Sequence, residues 1–500
     1  MAGEDQLETL EIAPTAAALL KSLRGLGYTP ETALADLVDN SIAAGARTIS
    51  LSIDWNDGDP RIAVRDDGRG MSRDQLMEAM RFGGEGPEAE REPDDLGRFG
   101  LGMKTASLSQ CRRMAVVSAQ GGALSSLSWD IGVVAKARKW AVVVAPELPE
   151  FEHVTKPHTG EHGTLVALQV MDEMGGLHGL DSERFFARLA DIRAHFSMVF
   201  HRFLSGDARR IRILINGRDI PPWDPMLRTH AATRKLGSSP IGVGQQAVKV
   251  TSYVLPHRDM FANEQEFQTA GGPGGWAERQ GFYVYRGDRL VVAGSWLGLG
   301  ERREWTKDES SRLARIAVDL PTACDPAWRI DVIKARARPP ASLRSRLVRV
   351  GLECRDRARE VFAWRGGQVR TPTEVRQTSP LWQQEHVSGR RRYRVNREHP
   401  IILALFEQGS ETARLARSAI SLIERTVPVE RIWLDVSEDV EMPSSGVDKG
   451  AELVEDLVTA IRKSSSDLPP EEILDLLLRS MRIADTVLRD SVLAALGGDE

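Results

Sequence analysis

The chain has 500 residues, 41% of them hydrophobic, with 66 Lys and Arg against 71 Asp and Glu, a formal net charge of −5 and three cysteines. That length exceeds a single core and calls for two to four domains, and the composition is ordinary for a globular protein. No apolar run approaches membrane-span length and the opening MAGEDQLETLEIAP is acidic, unlike a signal peptide, so a cytoplasmic protein with no membrane partner is expected. Cys111, Cys324 and Cys354 lie far apart without metal-ligand spacing and read as buried thiols of a reducing compartment.

Residues 14–25 (PTAAALLKSLRG) predict a short helix leading to a turn over 27–30. Residues 31–45 (ETALADLVDNSIAAG) predict the helix around which the N-terminal half is organised. Thr29 can cap it, Pro30 suits the first helical position and Gly45 is a stop. Leu34, Leu37, Val38 and Ile42 recur at helical spacing, and Asp36 and Asn40, four apart, project from one side. Such a carboxylate and amide can hold a water and a hard metal ion together; alone, the pair also fits a solvated polar stripe. Strands are expected at 48–53 and 61–65. The second runs into Asp66-Asp67-Gly68-Arg69-Gly70-Met71, where two glycines after a strand-end carboxylate let the backbone approach a flat ligand. Asp66 could accept from the exocyclic amine of adenine, although an ordinary Asp-Gly turn has the same letters.

Residues 72–80 predict a capped helix. Residues 82–95 (FGGEGPEAEREPDD) have no apolar face and read as a disordered loop or a mobile lid, and the glycine cluster that follows favours the lid. In that cluster Gly97, Gly100 and Gly102 precede Lys104 and Thr105 at the start of a helix, where free amides and a lysine suit a polyphosphate. Met103 breaks the Walker A spacing and the preceding segment is not a buried strand, which excludes a P-loop. Strands are expected at 114–118, near 124–134 and at 163–168 (GTLVAL), where Thr164 could bond the adenine-side carboxylate or its water.

These four pieces, in this order, resemble the GHKL ATPases, the superfamily of gyrase B subunits, ninety-kilodalton heat-shock chaperones, histidine kinases and MutL. GRFGLGMKTAS looks most like the MORC branch and its bacterial relatives. The resemblance implies ATP and Mg²⁺ as cofactors. It implies that Asn40 ligates Mg²⁺, Asp66 reads adenine, Gly68 and Gly70 with Met71 floor the base pocket, and Gly97, Gly100, Gly102, Lys104 and Thr105 hold the phosphates, with Thr164 on the adenine side. The family's general base is usually Glu, four residues before the Asn; here it is Asp36, one methylene shorter. A misplacement of about 1 Å costs on the order of a hundredfold in rate, so slow hydrolysis is expected.

Residues 182–204 predict the helix that closes the ATPase domain. A hairpin at 211–220 and strands at 247–254, 281–285, 289–293 and 314–319 follow, a strand-rich region similar to the transducer domain of gyrase, MutL and MORC proteins. In that group a lysine near the end of the transducer reaches the γ-phosphate, and Lys334 in WRIDVIKARARPP is its match; a surface lysine in a basic run reads equally well. Residues 335–399 hold sixteen Arg against six Asp and Glu. The sharpest cluster, GRRRYRVNR, offers Arg390, Arg391, Arg392 and Arg394 to phosphates and Tyr393 to a base; residues 343–363 read as an Arg-rich helix. Helices are expected at 400–407, 410–426, 451–463 and 470–496, with a strand near 431–436.

The expected fold is thus α+β: an α/β-sandwich ATPase domain over 1–205, a transducer-like domain over 206–342 and a basic, mainly helical region over 343–500. The expected function is an ATP-hydrolysing conformational switch that pairs two protomers as a homodimer and acts on DNA, with a partner protein on the C-terminal helices. The alternative is a nucleotide-dependent DNA clamp with negligible hydrolysis. Analogy with the bacterial MORC-like proteins places the chain in DNA management or defence against foreign DNA.

Overall fold

The computed structural model describes residues 15–25, 27–82, 102–148, 151, 161–172, 181–207, 209–243, 246–301, 303–321, 324, 328, 337–363, 381–387, 390–407, 410–428, 451–462, 469–480 and 486–497. Gly97, Gly100, Lys334, the 82–95 segment beyond Phe82 and the strand expected near 431–436 lie outside the described residues. So do the side chains of Arg390, Arg391 and Arg392.

The N-terminal elements are α1 (Ala16–Arg24), α2 (Pro30–Ala43), β1 (Thr48–Asp54), β2 (Arg61–Asp66), α3 (Arg73–Met80), α4 (Gly102–Gln110), β3 (Cys111–Gln120), β4 (Ala123–Asp130), α5 (Ile131–Ala137), β5 (Val143–Val144), β6 (His162–Met171), α6 (Ser182–Val199), α7 (His201–Ser205), β7 (Arg212–Ile215) and β8 (Arg218–Asp219). The strands form one sheet in the order β5-β4-β3-β6-β2-β1-β7-β8; β1 and β7 run parallel and the other neighbours antiparallel. Strands β7 and β8 extend this sheet beyond the expected boundary at 205. Side chains alternate along each strand. Ile62, Val64, Met114, Val116, Val166 and Leu168 join the core shared with α2 and α6, while Ala63, Ala115, Leu165 and Ala167 gather with Phe151 in a separate cluster.

The second sheet, β12-β11-β13-β10-β9, is built from β9 (Arg234–Val243), β10 (Gln246–Val254), β11 (Gly281–Arg286), β12 (Arg289–Ser295) and β13 (Ala314–Leu320), with α8 (Glu264–Gly271) and α9 (Gly275–Glu278) between β10 and β11. Tyr283, Tyr285, Leu290 and Ala317 of this sheet belong to the same apolar core as the first. Helix α10 (Ala341–Phe362) follows; its residues up to Ala358 fall in this first compact unit. Arg355 of α10 pairs with Asp308 at 2.6 Å and lies 4.6 Å from the ring of Trp296. The three cysteines are free and buried, as expected from their spacing.

The second unit, taken by itself, contains residues 257–262 and 359–500. The hairpin β14 (Trp382–Val387) and β15 (Arg390–Val395) precedes α11 (Pro400–Glu407) and α12 (Ser410–Thr426), and Val395, Ile402 and Ile420 share a small core. Helices α13 (Ala451–Arg462), α14 (Pro470–Ser480) and α15 (Thr486–Gly497) bury Leu457, Ile461, Leu474, Leu477, Leu488 and Val492 against one another. Within the span expected over 470–496, the described residues form α14 and α15. No helix among the described residues is long and apolar enough to cross a membrane.

Candidate active site

Helix α2 begins as its sequence dictates. Thr29 accepts from the backbone N–H of Thr32, whose own hydroxyl closes the capping box, and Pro30 occupies the first turn, where an N–H would have no helical partner. Ala33, Leu34, Leu37, Val38 and Ile42 are buried, which fixes the rotation of the helix. On one of its sides stand Asp36 and Asn40. Asp36 is 4% exposed, and its Oδ2 accepts from the hydroxyl of Tyr28 at 2.8 Å. A Cβ on Gly102, the first residue of α4, would lie 3.7 Å from that same oxygen. The helix start expected to bind phosphate therefore faces the carboxylate expected to act on water. Asn40 Nδ2 is buried and without a hydrogen-bond partner among the described residues.

The second part of the site is a row across three strands. Register places Asp66 opposite Thr164 and Thr164 opposite Ser118, and by alternation all three share the face of Val64, Val166 and Val116. The apolar rows under α2 thus end in three polar residues. Asp66 accepts from Ser41 Oγ at 2.8 Å and from the N–H of Gly68 at 2.9 Å. Burial raises its pKa; the bonds from Gly68, Ser41 and the Thr164 backbone oppose that rise. The Thr164 hydroxyl, expected on the carboxylate or its water, instead shares a 2.9 Å hydrogen bond with Ser118 Oγ, and Ser118 Oγ accepts from the N–H of Met71. Ser41 and Ser118 were not found by sequence reasoning. A serine at every second position with Met114 and Val116 is the signal that marks Ser118 as facing the site.

The two glycines of the turn are needed for different reasons. Gly70 has φ +67°, and a Cβ there would stand 1.7 Å from the carbonyl oxygen of Ala119. Gly68 would place a Cβ 2.9 Å from Asp66 Oδ1 and 3.0 Å from Ala44. Both contacts are with the protein, so these glycines first let the turn close on β3 and on the end of α2. Met71 packs at the edge of the core.

Lys104 and Thr105 lie in the first turn of α4, and both are buried. Lys104 Nζ donates to Ala79 O at 2.8 Å and to Arg81 O at 2.5 Å, and sits 5.6 Å from the ring centre of Phe82. The lysine thus caps the C-terminus of α3, where carbonyls lack helical partners. Burial pushes its pKa down to about 8. Thr105 Oγ1 donates to Gly102 O at 3.4 Å.

Residues 28–164 match the family of histidine kinase-, DNA gyrase B-, and HSP90-like ATPases. Over 123 residues the chain is 29% identical to the ATPase morc-1 of Caenorhabditis elegans, a match covering 25% of this chain and 14% of that protein. Over 52 residues it is 46% identical to the DNA mismatch repair protein MutL of Halobacterium salinarum, covering 10% of this chain and 8% of the relative. The chain therefore spans a small part of the length of the curated relatives it matches.

Proposed function

We propose that this chain, whose residues 28–164 match the histidine kinase-, DNA gyrase B-, and HSP90-like ATPases and which over part of its length is similar to a MORC ATPase and to MutL, is a conformational switch driven by ATP binding and slow hydrolysis. The observation that carries the reading is that Asp36 Oδ2 faces the start of α4, while Asn40, whose Nδ2 has no hydrogen-bond partner among the described residues, stands one turn along the same side of α2. Adenine would be read by Asp66, whose Gly68 and Ser41 donors leave acceptor capacity for the exocyclic amine. The phosphates would lie at the start of α4, with Gly97, Gly100 and Gly102 supplying amides, and Lys104 would leave the α3 carbonyls to meet them. The Asn40 amide oxygen would hold Mg²⁺, which supplies positive charge against the phosphates.

Asp36 would orient the attacking water and accept its proton. The Tyr28 hydroxyl holds one oxygen of this short carboxylate in place. By family analogy, Lys334 would reach the γ-phosphate, two protomers would pair on ATP, and the Arg390–Arg394 stretch of β15 would meet DNA. One further reading, a nucleotide-dependent DNA clamp with negligible hydrolysis, is favoured by the short Asp36 side chain, whose Oδ2 already accepts a hydrogen bond.

ATP turnover with and without DNA, alongside native mass measurement with a non-hydrolysable analogue, tests both. Turnover that Asp36→Ala abolishes while nucleotide stays bound supports the switch, and pairing on the analogue without turnover supports the clamp. Absence of nucleotide binding rejects the two together.

A further inference from the structure

Helix α2 carries another buried carboxylate. Asp39 lies three residues from Asp36, about 60° around the helix on the flank away from Asn40. Its Oδ1 accepts from Nε of Arg289 at 3.0 Å, across 250 residues of sequence, and the two side chains are 1% and 5% exposed. Arg289 is the first residue of β12. Its guanidinium also donates to Leu290 O and lies 4.8 Å from the ring centre of Phe200, at the end of α6. His195 of α6, half-buried, lies beside it, and desolvation together with the Arg289 and Arg279 charges pushes its pKa down to about 3. It is therefore neutral at physiological pH and adds no second positive charge near Asp39.

The hairpin that presents Arg289 is closed by a tight turn. Strands β11 and β12 are joined by Gly287 and Asp288 at φ +51° and +65°, values of a two-residue type I′ turn. Asp288 pairs with Arg202 of α7 at 3.2 Å. Arg202 in turn lies 3.5 Å from the ring centre of Tyr285, whose hydroxyl is 2.9 Å from His201 Nε2. The tip of the second sheet is thus held on α7 while its arginine holds α2.

We propose that Arg289 is a positioning residue for ATP hydrolysis: through Asp39 it sets the rotation of α2 and so the placement of the Asp36 carboxylate. A movement of the second sheet would be passed to the group that acts on water. A side-chain tip stands about 5–6 Å from a helix axis, so a rotation of about 10° moves it by about 1 Å, enough to change a rate on the order of a hundredfold. Asn40 and Ser41 also stand on α2, but Asp66 and the phosphate amides lie off it, so nucleotide affinity is expected to change far less than the rate. This inference rests on the ATPase reading of the site.

The test is Asp39→Asn/Arg289→Met, which removes both charges together and leaves no lone buried ion. Turnover is expected to fall about ten- to hundredfold, with ATP dissociation constant and thermal midpoint near those of the parent. Arg289→Lys, which keeps a cation but not the planar donor, is expected to lose about three- to tenfold in turnover at unchanged affinity, and it decides alone if the double variant does not fold. Parental turnover in these variants, or affinity lost in step with rate, overturns the inference while the ATPase reading stands. A parent that binds ATP without hydrolysing it, or fails to bind it, removes that reading and this inference with it.

Discussion

Asp66 is a carboxylate kept in a buried position by two donors. Its Ser41 and Gly68 donors favour the ionised form against the desolvation that raises its pKa. Asp66→Asn turns one oxygen into a donor facing Ser41 or Gly68 and removes the charge that an adenine amine would meet, so ATP binding is expected to be lost. An unchanged affinity by titration calorimetry would take Asp66 out of the site. Lys104 gives a pH dependence whose sign follows from its position. Its folded-state pKa of about 8 lies below the ordinary 10.5, so the cost of burying its charge is full below pH 8 and is relieved as pH rises from there to 10.5. For ATP the direction is reversed. Phosphates require the ammonium form, so above pH 8 binding must take up a proton and affinity is expected to fall by up to about tenfold per pH unit. Lys104→Arg keeps its charge and is expected to flatten that fall, as equilibrium ATP titrations between pH 7 and 9.5 would show; parallel slopes would mean that the lysine stays on the α3 carbonyls.

At the scale of elements, the turn between β2 and α3 tolerates no side chain at position 70. Gly70→Ala combines a positive φ with a Cβ inside the Ala119 carbonyl, and it is expected to destabilise the domain by about 2–6 kcal/mol, adding backbone strain to overpacking. Thermal and urea unfolding measure it, and a loss under 1 kcal/mol would mean that the turn re-forms elsewhere. This turn and α2 were legible in the sequence because their chemistry is local: a cap, a proline, a helical period, a glycine that no other residue replaces. Other elements were decided by neighbours. Residues 131–134, read as the end of a strand, start α5 because Asp130 accepts from the N–H groups of Gly132 and Val133. Strand β9 was missed because RKLGSSPIGV lacks apolar alternation; it is an edge strand, where Pro240 is tolerated. The helix expected over 182–204 breaks at Phe200. In the candidate site, spacing picked out Asp36 with Asn40 and Asp66 as candidates, and the resemblance to GHKL proteins supplied their proposed roles. Ser41, Ser118 and Tyr28 were not, since they acquire partners only when register and helix packing bring distant strands and turns together.

For the whole molecule, the first unit has one core running through both sheets, with Asp39 and Arg289 as its buried charged link. The second unit has its own small cores and carries the arginine-rich stretch. There the backbone of residues 390–395 is a strand, with Arg392 in register with Glu385 and Arg390 with Val387; Tyr393 is 53% exposed. Neutralising Arg390, Arg391 and Arg392 to Gln tests whether this hairpin meets nucleic acid. Phosphate contacts release counterions without reading bases, so affinity is expected to drop on every duplex sequence alike. Each lost contact lowers the slope of log affinity against log salt by about 0.9, so the triple variant is expected to be flatter by up to about 2.7. ATP affinity is expected to stay at the parental value, since neither Asp66 nor the start of α4 lies in this unit. Fluorescence anisotropy across a salt series, with ATP binding measured in parallel, separates the outcomes. A parental slope in the variant would assign the arginines to a protein partner or to solvent, and a fall in ATP affinity alongside would tie the hairpin to the nucleotide site instead of to DNA.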